Sequence, residues 1–103
     1  LANYLNKLRL PKFGIWAMMK NKEPNIFIKQ FRNTFKKIIT MSIEGEQSSM
    51  LSKDLYKIAL KNNFNVDEAN SFNDALKKIS SKEKKLIVCF GSLYNVGSIL
   101  NKN

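Results

Sequence analysis

Short apolar runs alternate with amphipathic stretches along the whole chain. Leu1, Leu5 and Leu8 recur at i, i+4 and i+7, which predicts an opening helix. Phe13 to Met19 form a continuous apolar run, the pattern of an inner strand covered on both faces. Pro24 suits the first turn of a helix, where its missing N–H costs little, and Phe27, Ile28, Phe31 and Phe35 form an apolar stripe behind it. Ile38 to Ile43 predict a second strand, ending in the polar loop Glu44 to Ser49. Leu51, Leu55, Ile58 and Ala59 then have helical spacing, with Ser52 as the expected cap and Asp54 in the first turn. A short extended piece around Val66 leads to Ser71, whose hydroxyl is expected to cap a helix. Asp74 completes a capping-box pattern ahead of Ala75, Leu76 and Ile79. Leu86 to Phe90 read as a further buried strand, and Ser92 to Asn101 as a last helix with Leu93, Val96 and Leu100 facing inward.

Strands alternating with helices need crossover connections, which give a parallel sheet. The expected fold is α/β and Rossmann-like, a mostly parallel sheet with helices on both faces. Its 103 residues suffice for one domain, residues 1–103, and no linker, repeat or low-complexity segment divides them. The chain begins with Leu1 rather than Met and already inside a helical pattern, so it is expected to be a fragment of a longer polypeptide.

Composition adjusts this picture in two places. No apolar run approaches the ~18 residues of a membrane span and no secretory signal pattern is present, so a cytoplasmic location away from membranes is expected. The net charge of +10 raises the question of a polyanionic partner. Only Arg9 and Arg32 are arginines, and the lysines are interspersed along the chain as ordinary solvated positions. A solvated surface is therefore preferred over nucleic-acid binding, and a stand-alone basic module for RNA or another polyanion is the rival reading.

The chain has no histidine and one cysteine, Cys89, inside an apolar run. Imidazole chemistry is excluded within it, and Cys89 reads as a small buried hydrophobe rather than a reactive thiol. Neither G-x-x-x-x-G-K-[ST] nor G-x-G-x-x-G occurs, so the chain has no phosphate loop of its own. Three places remain for chemistry, all expected beyond strand carboxyl ends, where α/β sheets bind ligands. One is the strand-to-helix junction Gly91-Ser92-Leu93-Tyr94. There, Gly91 would permit close approach and the helix start would favour an anion, although spacing alone favours Gly91 as a tight turn, Ser92 as a cap and Tyr94 as a rim contact. Another is the loop Met19 to Pro24, with Lys22 for an anion and Glu23 for a cation or amine. The last is the acidic loop from Glu44.

At these residues the sequence resembles the carboxy-terminal domain of the folylpolyglutamate synthase/dihydrofolate synthase family, within the Mur ligase superfamily. Leu86-Ile87-Val88-Cys89-Phe90-Gly91-Ser92-Leu93-Tyr94-Asn95-Val96-Gly97 is similar to that family's closing strand–Gly-Ser-Leu-Tyr–helix pattern. Phe13 to Glu23 resemble its strand followed by a Lys-Asp loop, and Ile43 to Leu55 its next loop and helix. Glu23 stands where the family has Asp, and Phe90 is an added bulky residue before Gly91. The family's Asp-Gly-Ala-His-Asn segment and its P-loop ATPase domain are not in this sequence. The resemblance implies an ATP- and Mg²⁺-dependent ligase that forms an acyl phosphate on a dihydropteroate or folate carboxylate and lets the amine of glutamate attack it. It further implies an amino-terminal ATPase domain as partner in the same polypeptide, a fragment inactive and without cofactor alone, and Lys22, Gly91, Ser92 and Tyr94 lining the cleft. The same domain of another Mur-type ligase is the second alternative.

Overall fold

The computed structural model describes residues 2–91. The expected closing helix, with Ser92 and Tyr94, lies outside them. In chain order the elements are α1 (Ala2–Asn6), β1 (Lys12–Trp16), a 3₁₀ turn (Lys20–Lys22), α2 (Pro24–Lys29), β2 (Lys37–Thr40), α3 (Ser52–Lys61), β3 (Val66–Glu68), α4 (Phe72–Ile79) and β4 (Leu86–Phe90). The strands form one sheet in the order β3-β2-β1-β4, with every pairing parallel.

β1 is an inner strand because its side chains are apolar on both faces. Trp16 joins Ile38, Phe90, Leu5, Ile28, Leu55 and Ala59 on one face, under α1, α2 and α3. Its neighbour Ile15 joins Ile39, Cys89, Ala75 and Ile79 on the other, under α4. β1, β2 and β4 alternate between the two cores, as a period of two requires. Helices thus cover both faces, and the α/β class expected from the sequence is the observed one.

Four local expectations are corrected. β1 ends at Trp16; Ala17 and Met18 run on outside it, still buried. α2 stops at Lys29, and Phe31 and Phe35 reach the core from the turns that follow. Those turns are closed by Phe31 N–H to Ile28 O and Thr34 N–H to Phe31 O, and Asn33 adopts φ 63°. Spacing of three and four residues fits such turns as well as a helix, so the stripe alone does not separate them. Ser52 does not cap α3: the N-cap is Leu51, with no side-chain cap. The Ser52 N–H instead donates to Ser42 Oγ at 3.0 Å, so the cap comes from the strand exit ten residues earlier. Ser71 caps α4 as expected, accepting from the Asp74 N–H at 3.0 Å, while Asp74 reaches back to the Asn70 N–H. Finally, β4 is at the edge of the described sheet, and Leu86 to Val88 are half-buried rather than buried.

Phe90 organises the larger core. Its ring lies 4.9 Å from those of Phe31 and Phe35, 6.0 Å from Phe27 and 6.2 Å from Trp16. Gly14 on β1 makes room for it, since a Cβ there would come within 2.6 Å of the Phe90 ring.

Candidate functional site

The strand order fixes where a site can form. From β1 the chain moves to β2 and then β3, and afterwards crosses back so that β4 lies on the other side of β1. The order therefore reverses at the β1–β4 seam, and α/β sheets bind ligands outside the strand carboxyl ends at such a switch point. The seam ends at the register pair Trp16 and Phe90. Gly91 follows on one side of it, and the segment carrying Lys22 on the other.

Gly91 has φ +100°, and a Cβ there would lie 2.3 Å from Ala17 O and 2.7 Å from the Trp16 ring. The glycine is thus required by the chain's own packing: β4 turns away directly over the end of β1, where the Ala17 N–H donates to Phe90 O at 3.3 Å. Beside it, Trp16 Nε1 is buried and has no hydrogen-bond acceptor among the described residues.

The other two candidate segments are joined to each other. Lys20 N–H donates to Ser48 O and Met50 N–H to Met18 O, both at 2.8 Å, framing an antiparallel bridge between Met19 and Ser49. Ser49 is buried and locks this loop: its Oγ accepts the Ile43 N–H at 2.8 Å and donates to Met50 O at 3.0 Å. On this rigid base Lys22 is exposed, and Glu23 follows in a left-handed conformation at φ 49°. Glu44 and Glu46 are exposed on the turn around Gly45. The structure therefore places Lys22, Gly91 and the acidic loop along one sheet edge.

Sequence reasoning missed the polar groups that close the β2–β3 side of this edge. Thr40 Oγ1, fully buried, donates to Ser52 O at 2.9 Å, and Ser52 Oγ donates to Glu68 Oε2 at 3.3 Å. These partners are far apart in sequence, and no spacing rule connects them. These polar groups satisfy one another on the β2–β3 side of the edge. The Cys89 thiol is pushed up from its ordinary value by desolvation, as expected of a packing residue rather than a nucleophile. Among the described residues no three His, Cys, Asp or Glu side chains come together to hold a metal, and no helix is long and apolar enough to cross a membrane.

No protein family matches the chain in sequence, and no curated protein does so. Solved structures do match its fold. A Mycobacterium tuberculosis folylpolyglutamate synthase, complexed with ADP and AMPPCP, superposes over 89% of this chain with a TM-score of 0.73 at 14% identity. The Thermotoga maritima folylpolyglutamate synthase does so over 89% with a TM-score of 0.66 at 22% identity. The chain spans 23% and 21% of those two proteins. Its fold is that of one domain of a folylpolyglutamate synthase.

Proposed function

We propose that the chain is the carboxy-terminal domain of a cytoplasmic, ATP-dependent amide ligase that joins L-glutamate to dihydropteroate or folate through an acyl phosphate. The observation that carries this reading is the fold likeness over 89% of the chain to a ligase complexed with ADP and AMPPCP. The switch point at the β1–β4 seam supports it, since that is where a nucleotide or acyl phosphate would meet this sheet.

In this reading the domain supplies one wall of a cleft, and an amino-terminal ATPase domain of the same polypeptide supplies the other. The reaction develops charge on the transferring phosphoryl and then on the tetrahedral centre, which fixed cations and N–H donors stabilise best when water is excluded. Lys22 would hold a phosphate or carboxylate as a point charge, and the zipped loops beneath it would spare the reorganisation of a mobile segment. Gly91 would let the cleft come close to the sheet, with Ser92 and Tyr94 following it along the cleft wall. In this reading the Mg²⁺ that accompanies ATP is held mainly by the ATPase domain and the nucleotide phosphates.

An antibody raised against this chain and used to size the native polypeptide in source cells tests the arrangement. The ligase reading requires a band several times larger than 11.9 kDa. A native band at 11.9 kDa overturns it.

A further inference from the structure

A subset of the basic residues that are interspersed in sequence is gathered in space. In a parallel sheet, helix-to-strand segments arrive at the amino edge and strand-to-helix segments leave from the carboxyl edge. Residues 7–11, 30–36 and 80–85, which arrive, hold Lys and Arg with Glu83 as their one acid. Residues 17–23 and 41–51, which leave, hold Lys20 and Lys22 against Glu23, Glu44 and Glu46. Positive charge is thus collected at the end of the sheet opposite the candidate site.

Its centre is formed by Lys36, Lys37, Lys12, Lys82, Lys84 and Lys85. The register sets Lys12 beside Leu86 and Phe13 beside Lys37, so the starts of β2, β1 and β4 are neighbours within roughly 10 Å. Glu83 lies 3.7 Å from Lys36, and Asp67 lies 4.0 Å from Lys37. Lys12 Nζ donates to the Leu8 and Leu10 carbonyls, and Lys85 Nζ donates to Ser81 Oγ at 2.7 Å. Those neutral acceptors orient the ammonium groups without cancelling their charge. Complementing helix dipoles does not account for the cluster, because all six lysines lie outside the helices.

We propose that this amino edge docks the phosphate backbone of a nucleic acid, a role independent of the ligase reading. Lysines are point charges suited to phosphate, and their release of condensed counterions drives such binding. Phe31 and Phe35, the aromatic residues of these segments, are turned into the core. These segments offer no stacking platform, so docking by them is without base selection. A membrane is disfavoured because Leu10, 38% exposed, is the one large apolar side chain presented in these segments, less than the apolar face a bilayer anchor needs. The same scarcity disfavours a protein partner, whose interface would bury an apolar or aromatic centre.

The test is fluorescence anisotropy of this chain with a labelled RNA duplex of about 20 base pairs, between about 50 and 200 mM salt. Affinity should fall steeply with salt. Replacing exposed Lys82 and Lys84 together by Gln should weaken binding several-fold and flatten the log–log salt slope by about two. The matched pair Lys53→Gln and Lys57→Gln on α3 should leave that slope unchanged. Salt-independent binding, no binding, or equal losses from both pairs overturn the proposal. Tighter binding to phosphatidylserine vesicles than to duplex at equal salt also overturns it, in favour of a membrane. Amide shift mapping on the unmodified chain provides a check that needs no variant. Shifts should centre on Lys12, Lys37 and Lys85, and shifts confined to the carboxyl edge contradict the docking surface.

Discussion

Gly91 and the carbonyl of Ala17 are in contact at the β1–β4 seam: a β-carbon at Gly91 would lie 2.3 Å from that oxygen, with φ at +100°. Both the backbone conformation and the space exclude a side chain. Gly91→Ala should therefore cost at least about 2 kcal/mol, combining left-handed strain with displacement of the β1 end. Urea denaturation measures this. A loss below about 0.5 kcal/mol, the scale of an ordinary surface change, would mean that the two strand ends do not pack in this way.

Phe90 interrupts the expected strand–glycine pattern, yet its ring touches those of Trp16, Phe27, Phe31 and Phe35. Phe90→Ala should destabilise by about 3 to 5 kcal/mol. Combined with Phe31→Leu the losses should be non-additive by at least about 0.5 kcal/mol, because the two rings share partners. Denaturation of the two single variants and the double variant checks both statements.

Ser42, rather than Ser52, should carry the cap of α3. Removing the Ser42 hydroxyl leaves the Ser52 N–H without its acceptor and should cost about 1 kcal/mol. Ser52→Ala removes an outward bond to Glu68 and should cost less. Thermal melts of the two variants, ranked against Ser71→Ala as a conventional cap, decide the order.

The reason that cap was not legible in the sequence is general to this chain. Features set by contiguous pattern were readable: the apolar run of β1, the apolar stretch of β4, and Ser71 with Asp74 three residues on. Features set by long-range partners were not. Ser42 reaches across a loop, Met19 pairs with Ser49, and Phe31 serves the core from a turn. The lysines belong to the same class. Position along the chain gave them no order, and only the parallel topology gathers Lys12, Lys36, Lys37, Lys82, Lys84 and Lys85 at one edge. At the candidate site, the sequence placed Lys22 and Gly91 beyond strand ends, but the reversal of strand order that sets them on either side of one seam required the sheet.

Burial pushes the Cys89 thiol up from its ordinary value of 9.0. The folded chain therefore holds this proton to higher pH than the unfolded chain does. Its contribution to stability is fully present below about pH 9, where both states are protonated, and declines as pH rises and the unfolded thiol ionises first. The stability difference between the chain and its Cys89→Ala variant should be flat up to that point and then shift against the cysteine form. Urea titrations across alkaline pH read this out. A difference that grows in favour of cysteine with rising pH would place the thiolate in a stabilising site instead.

The most direct test of the ligase reading is acceptor-dependent ATP turnover by the native polypeptide that contains this chain, captured from source cells and supplied with MgATP and radiolabelled glutamate. The reading predicts ADP release and labelled amide only when dihydropteroate or folate is added, with ADP and amide formed in equal amounts. Transfer of label should fall on Lys22→Ala while the domain's melting temperature holds. ADP release that ignores both acceptors, or no glutamate incorporation with either one, would contradict it.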